Sequence, residues 1–368
     1  MKILYVITKA DEIGGAQVHV RDLAFKAMSD GHQVKVIVGE EGLLKDNLEQ
    51  LNINVEVLKS LKRNINALRD FSCVKELCSI IREFSPDVVA LHSSKAGVVG
   101  RLACYFCGVP SVFTVHGWAF ADGVSKSKKY LYLGIEKLIA PLSEKIITVS
   151  KQDKDLAIKY NVGCHRDQVV IHNGIRDDFA SFVSGSDVVH EHVRLIMVAR
   201  FSKQKDHKTL LLALKKVEAL PWSLRLVGKG PELDNIIALS KSLNLYDRIE
   251  FLGERRDVPE LLIKSDIFLL ISNWEGYPLS ILEAKSASLP VICSNVGGVN
   301  EAVVEKVNGF LIERGDYIDL SSKLRVLIEN KEMRKKIAAF NRRDYVERHT
   351  LDVMYDKTID VYKSALVK

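Results

Sequence analysis

One pattern constrains this chain more than any other. A short apolar run, a turn, and then a helical pattern recur along the sequence, lapse once, and begin again. Lys2 to Thr8 reads as a strand, Gly14-Gly15 as a tight turn, about Ala16 to Ser29 as a helix, and "QVKVIV" at 33–38 as the next strand. "PDVVALHSS", "VPSVFTVHG", "EKIITVS" and "QVVIHNG" continue the series, with helices near 95–106 and 127–140. Strands that are apolar throughout and separated by helices belong to a parallel sheet covered on both faces. The rhythm lapses in "RDDFASFVSGSDVVHEH" and restarts at "VRLIMVAR", followed by "SLRLVGKG", "RIEFLGE", "SDIFLLIS", "LPVICSN" and "GFLIE". The expectation is α/β, with two doubly wound domains over 1–175 and 193–345 and a linker over 176–192. An amphipathic helix in 346–368 is expected to pack back towards the first domain. At 368 residues the chain also exceeds what one core normally serves.

Composition narrows the function classes. The net charge of +6 divides evenly, +3 in residues 1–180 and +3 in 181–368, which argues against a dedicated nucleic-acid surface. The run Lys126-Ser127-Lys128-Lys129 is either a solvated helix start or the seat of a weak peripheral contact with anionic lipid. Six cysteines form no disulfide framework. Cys104 and Cys107 sit at helical spacing in an apolar stretch with no second ligand pair, so they read as core packing. A reduced, cytoplasmic setting is expected, reaching at most the inner face of a membrane. The apolar run in "MKILYVITKADEIGG" is far too short for a signal peptide, and no segment approaches a membrane span.

Residues able to do chemistry collect where strands should end. Arg200 follows a strand expected at 194–199, and Lys205 lies in the loop before a helix that Asp206 would cap. Two cations beside a helix start suit a diphosphate, although loop-exposed basic residues are the plainer alternative. Gly228 and Gly230 in "VGKGPE" allow close backbone approach, but the dinucleotide fingerprint fails because Leu233 stands where glycine is needed. Gly14-Gly15 could aim main-chain N–H groups at an anion. His92 and His116 stand at strand ends, and Asn173-Gly174 is first of all a turn signal. In "NWEGYPLSILEAKS", Glu275 falls in a loop, Pro278 suits the first turn of a helix, and Glu283 lies a turn further in. Two carboxylates would then flank a helix start whose Leu279 and Ser280 amides face an anion. An ionised carboxylate only accepts, so each acid fits vicinal hydroxyls rather than phosphate. A sugar, a diphosphate and a second sugar satisfy that layout.

Nearly the whole chain resembles the family-four retaining glycosyltransferases of the GT-B fold, in which two Rossmann-like domains face a central cleft. The Gly-Gly loop, "TVHGW", "VIHNGI", "VARFSKQKD", "VGKGPE", "FLGERRDV" and "NWEGYPLSILEA" carry the likeness, with the E-x7-E spacing of Glu275 and Glu283 and the Arg-x4-Lys spacing of Arg200 and Lys205. The resemblance implies that Arg200 and Lys205 bind the donor diphosphate, Glu275 the transferred sugar and Glu283 the ribose. Gly276, Leu279 and Ser280 would add amide contacts, and Gly15 would approach the diphosphate. His116 would contact the sugar near the reacting carbon, and the loop around Arg256 would hold the base. Gly228 and Asn173 are further donor-side candidates, and Lys95 in "HSSKAG" an acceptor-side one. Gln17 stands where many relatives have Glu. The activity implied is metal-independent retaining transfer, without cofactor, from a nucleotide sugar (UDP-linked) to a saccharide or lipid-linked saccharide. A GT-B epimerase, a phosphorylase with pyridoxal phosphate on a lysine, and a non-catalytic nucleotide-sugar binder are the alternatives.

Overall fold

The computed structural model describes residues 1–121, 123–179 and 192–367, so most of the expected linker lies outside the described residues. The chain divides into two compact units, Met1–Gly174 with Leu351–Lys368, and Ile175–Thr350. The first unit holds β1 (Lys2–Ile7), β2 (Gln33–Val38), β3 (Asn54–Val57), β4 (Val88–His92), β5 (Ser111–Val115), β6 (Lys145–Thr148) and β7 (Gln168–Val170). The second holds β8 (Val193–Val198), β9 (Trp222–Val227), β10 (Ile249–Gly253), β11 (Ile267–Leu270), β12 (Val291–Ser294) and β13 (Gly309–Ile312). Their orders are β3-β2-β1-β4-β5-β6-β7 and β10-β9-β8-β11-β12-β13. Every pairing is parallel. In each unit the order reverses beside the first strand, between β1 and β4 and between β8 and β11. Crevices beyond the carboxyl ends at such reversals are where doubly wound sheets take ligands.

Both faces of the first sheet are buried, and the strand period of two sorts its side chains. Leu4, Val6, Val89, Leu91 and Phe113 join one core, together with Cys73, Cys78 and Cys104. Ile3, Tyr5, Ile7, Val88, Ala90 and Val112 join the other. That second core also takes Met354, Tyr355, Ile359 and Tyr362 from the helix Leu351–Leu366. The last helix therefore completes the first unit, although it follows the second along the chain. Cys107 reaches the Cys78 carbonyl at 3.8 Å from within the helix Ser94–Cys107, a packing contact as its spacing implies. Among the described residues no helix is long and apolar enough to cross a membrane.

Candidate active site

In the second unit the β8/β11 reversal assembles a site from two loops. β8 ends at Val198, one residue earlier than its pattern suggests, so Arg200 lies exposed two positions beyond it. The chain on either side is fixed: the Ala199 N–H donates to the Val227 carbonyl (2.9 Å) and the Phe201 N–H to the Lys229 carbonyl (3.1 Å). Gly228 explains how the strands come so close. Its φ is +141°, and a Cβ there would sit 2.2 Å from the Ala199 carbonyl oxygen. Glycine at 228 therefore makes room for the main chain beside Arg200.

Further along, the Asp206 N–H donates to the Ile271 carbonyl (2.8 Å) and the Asn273 N–H to the Gln204 carbonyl (2.7 Å), which ties the two loops together. Asp206 caps the helix His207–Lys216 by accepting from the Thr209 N–H, as its position suggests. Across this junction Lys205 forms an ion pair with Glu275, and both side chains are largely buried. The Gln204 amide donates to the Trp274 carbonyl (2.9 Å) and to Glu275 (3.3 Å). Burial, with the Glu275 charge next, raises the pKa of the Cys293 thiol and keeps it inert. Burial lowers the pKa of His207 to about 4, and its ring stacks on Phe201 at 4.3 Å.

The helix Leu279–Ser286 starts immediately beyond. Pro278 is its N-cap rather than its first helical residue, a shift of one position from the expectation. Proline has no side-chain acceptor and the first turn no acid, so the Leu279 and Ser280 N–H groups head a helix start that nothing in its own turn caps. Glu283 lies in the second turn, partly buried. Gly297 backs the loop from behind: its φ is +60°, and a Cβ would meet the Glu275 carbonyl oxygen at 1.9 Å. The neighbouring Gly298 N–H donates to the Gly276 carbonyl (2.9 Å). Arg256 is exposed between β10 and the helix Val258–Ile263, flanked by the Arg255–Asp257 ion pair.

The same helix carries Lys285, which is fully buried. Its ammonium pairs with Asp344 and donates to the Ala302 carbonyl at 3.1 Å. Burial raises the Asp344 pKa, but bonds from His349 and Lys285 outweigh it and hold the carboxyl below its ordinary range. His349 also meets the Tyr277 hydroxyl at 3.4 Å, and Tyr277 sits between Gly276 and Pro278.

The first unit has its own constellation at the strand ends around the β1/β4 reversal. Gly15 is the first residue of the helix Gly15–Ser29. Gln17 accepts from the Gly14 N–H (3.2 Å) and donates to the Lys9 carbonyl (3.3 Å), so it braces the Gly-Gly loop. Ser93 adopts φ +94°, a region that non-glycine residues rarely enter, and its hydroxyl meets that of Thr8 at 2.8 Å across the reversal. His92 Nδ1 lies 3.2 Å from His116 Nε2, and His19 Nδ1 lies 3.1 Å from the Asn173 side-chain oxygen. Burial lowers the pKa of His19 to about 4, against a smaller opposing effect of Asn173. Burial first, and neighbouring histidines next, bring His92 and His116 well below the usual imidazole value. Three neutral imidazoles result. The Lys95 ammonium lies 2.7 Å from both Asp70 carboxylate oxygens and is nearly buried, so its charge is already matched.

Among the anticipated residues, then, Arg200, Lys205, Gly228, Glu275, Gly276, Leu279, Ser280 and Glu283 share one unit with Arg256, and Gly15, Lys95, His116 and Asn173 share the other. Gln204, His19, Lys285 and Gly297 were not anticipated. Only Gly297 had a visible signal, the Gly-Gly doublet following "VICSN".

Two all-parallel Rossmann-like sheets, with cations, paired acids and an uncapped helix start at one reversal, define the chain as a GT-B-type protein. Solved structures agree on the fold. The chain superposes on Anabaena HepE, solved in complex with UDP and glucose, with a TM-score of 0.85, 23% identity and coverage of 99% of this chain and 100% of that one. Residues 13–179 match Glycosyltransferase Family 4 and residues 184–344 match Glycosyl transferases group 1. The UDP-Gal:alpha-D-GlcNAc-diphosphoundecaprenol alpha-1,3-galactosyltransferase of Escherichia coli is 34% identical over 297 residues, 77% of this chain and 76% of its own. The O-antigen biosynthesis glycosyltransferase WbnH, also of Escherichia coli, is 26% identical over 99% of this chain and 98% of its own. The chain belongs to glycosyltransferase family 4, and it is a glycosyltransferase.

Proposed function

We propose that this glycosyltransferase moves a sugar from a UDP-linked donor to a glycan or lipid-linked glycan acceptor, with retention at the transferred carbon and without a metal ion. The observation that carries the reading is the Lys205–Glu275 pair at the β8/β11 reversal, beside the helix start at Leu279. Departure of a nucleoside diphosphate builds negative charge on its terminal phosphate. Arg200, Lys205 and the Leu279 and Ser280 amides meet that charge, and loss of one such donor typically costs about 3–4 kcal/mol of barrier. Lys205 then shares its charge between Glu275 and the phosphate, while Glu275 accepts hydroxyls of the transferred sugar and Glu283 those of the ribose. Gly15, Gly228, Gly276 and the Arg256 loop complete the donor contacts, and Asn173 serves by orienting a histidine. His116 contacts the transferred sugar, and the leaving phosphate oxygen takes the acceptor proton on the same face. Lys95 would contact an acceptor only by giving up Asp70.

The donor class is supported by HepE, solved with UDP and glucose, and by the Escherichia coli relative named for UDP-Gal. That relative's name also gives a diphosphoundecaprenol acceptor, which supports a lipid-linked one here. The test is incubation with a panel of nucleotide sugars in EDTA, with NMR of the product anomer. Slow turnover of UDP-sugars with the donor's anomeric configuration retained is expected. Inversion, or turnover that only manganese restores, contradicts the corresponding part of the reading.

A further inference from the structure

His19 lies in the helix Gly15–Ser29, His92 ends β4 and His116 follows β5, yet each presents a ring nitrogen within 4.8 Å of the others. Their ring centroids are 4.7, 5.4 and 5.5 Å apart. His19 and His92 are buried. Contact with a sugar hydroxyl needs one accessible imidazole, so it accounts for His116 but not for the other two.

We propose that these three histidines form a binding site for a borderline divalent cation of the zinc type, whose occupation blocks transfer rather than supporting it. An all-imidazole set selects zinc, copper, nickel or cobalt(II) over magnesium, calcium or manganese, which favour oxygen ligands. Three protein ligands with a fourth position open is also how non-structural zinc is held. Zinc–nitrogen bonds of about 2.0–2.1 Å put ligand nitrogens roughly 3.3 Å apart. His92 Nδ1 and His116 Nε2 already stand at 3.2 Å, and the remaining nitrogens need small ring movements. Asn173 supplies the outer support such a site requires. With its carbonyl oxygen accepting from His19 Nδ1–H, the lone pair falls on Nε2, ready to ligate. A bound cation would hold the His116 ring and remove it from the sugar, so zinc acts as an inhibitor of an enzyme that needs no metal.

Binding can be measured without any donor or acceptor, so its failure and that of the transfer reading are separable. Full-length, EDTA-stripped protein is titrated with cobalt(II), followed by visible absorption, and with zinc by equilibrium dialysis. One equivalent of zinc bound at micromolar concentration, not displaced by excess magnesium, is expected. His19→Gln and His92→Gln should each weaken binding about tenfold or more. Because Cys164 is an exposed thiol, Cys164→Ser is the control and should bind as wild type. If fully buried His92 does not tolerate replacement, as judged by circular dichroism, His116→Gln takes its place. Wild-type turnover should fall at the zinc concentrations that saturate the site and return with EDTA. Absence of stoichiometric binding, binding unchanged in the histidine variants, or binding lost in Cys164→Ser overturns the proposal.

Discussion

At the scale of single residues, the chain's chemistry rests on buried groups whose charge state the fold sets. His19 illustrates the sign. Its folded pKa of about 4 lies below the ordinary value of 6.5, so the unfolded chain binds the proton first as pH falls. The destabilisation is absent above pH 6.5, grows as pH drops towards 4, and is complete below that. At pH 5 His19 alone should cost about 2 kcal/mol, and His92 and His116 act in the same direction. Urea unfolding at pH 7.5 and pH 5 measures this; a transition midpoint independent of pH would contradict buried neutral imidazoles. The sequence showed His92 and His116 at strand ends. It could not show that His19, inside a helix, joins them, or that Asn173, 154 positions away, holds it. Contacts of that separation have no local signature.

Among elements, the helix Leu279–Ser286 matters most, because its start is the site. Its start was legible to within one residue from Pro278. Its anchor was not, since a lysine in a helical pattern reads as a solvated residue and nothing local reveals that Lys285 is buried against Asp344. Breaking a buried pair leaves one uncompensated charge, so Lys285→Met should destabilise the unit by about 3 kcal/mol. Arg348, 3.1 Å from Asp344, limits the loss. Replacing both partners, Lys285→Met with Asp344→Leu, should recover much of it, which a double-mutant cycle reads directly. Additive losses would mean that the two side chains act independently. The glycines at 228 and 297 teach a related lesson. Glycine at a strand end was visible, but whether it makes room for a ligand or for the chain's own carbonyl depends on packing that only the structure supplies.

At the scale of the whole molecule, the doubled strand–helix rhythm made two parallel sheets legible, because uniformly apolar strands admit few other arrangements. The sequence also sends the last helix back towards the first of the two units. Its Met354, Tyr355, Ile359 and Tyr362 complete the first. That unit also exposes Tyr130, Leu131 and Leu138 on the helix Lys126–Ile139, whose first turn carries Lys126, Lys128 and Lys129. Each lysine near an anionic surface contributes about 1 kcal/mol, so sedimentation with anionic vesicles should exceed that with neutral ones, and triple replacement by glutamate should abolish the difference. Equal sedimentation with both would contradict a membrane contact through these lysines. Whether the β8/β11 reversal handles the leaving diphosphate is read from kcat/KM for the donor in EDTA. Lys205→Ala should lower it roughly 10²–10³-fold, chiefly in kcat, with the fold intact by circular dichroism. Near-normal kcat/KM in that variant, with a confirmed donor, would contradict that role.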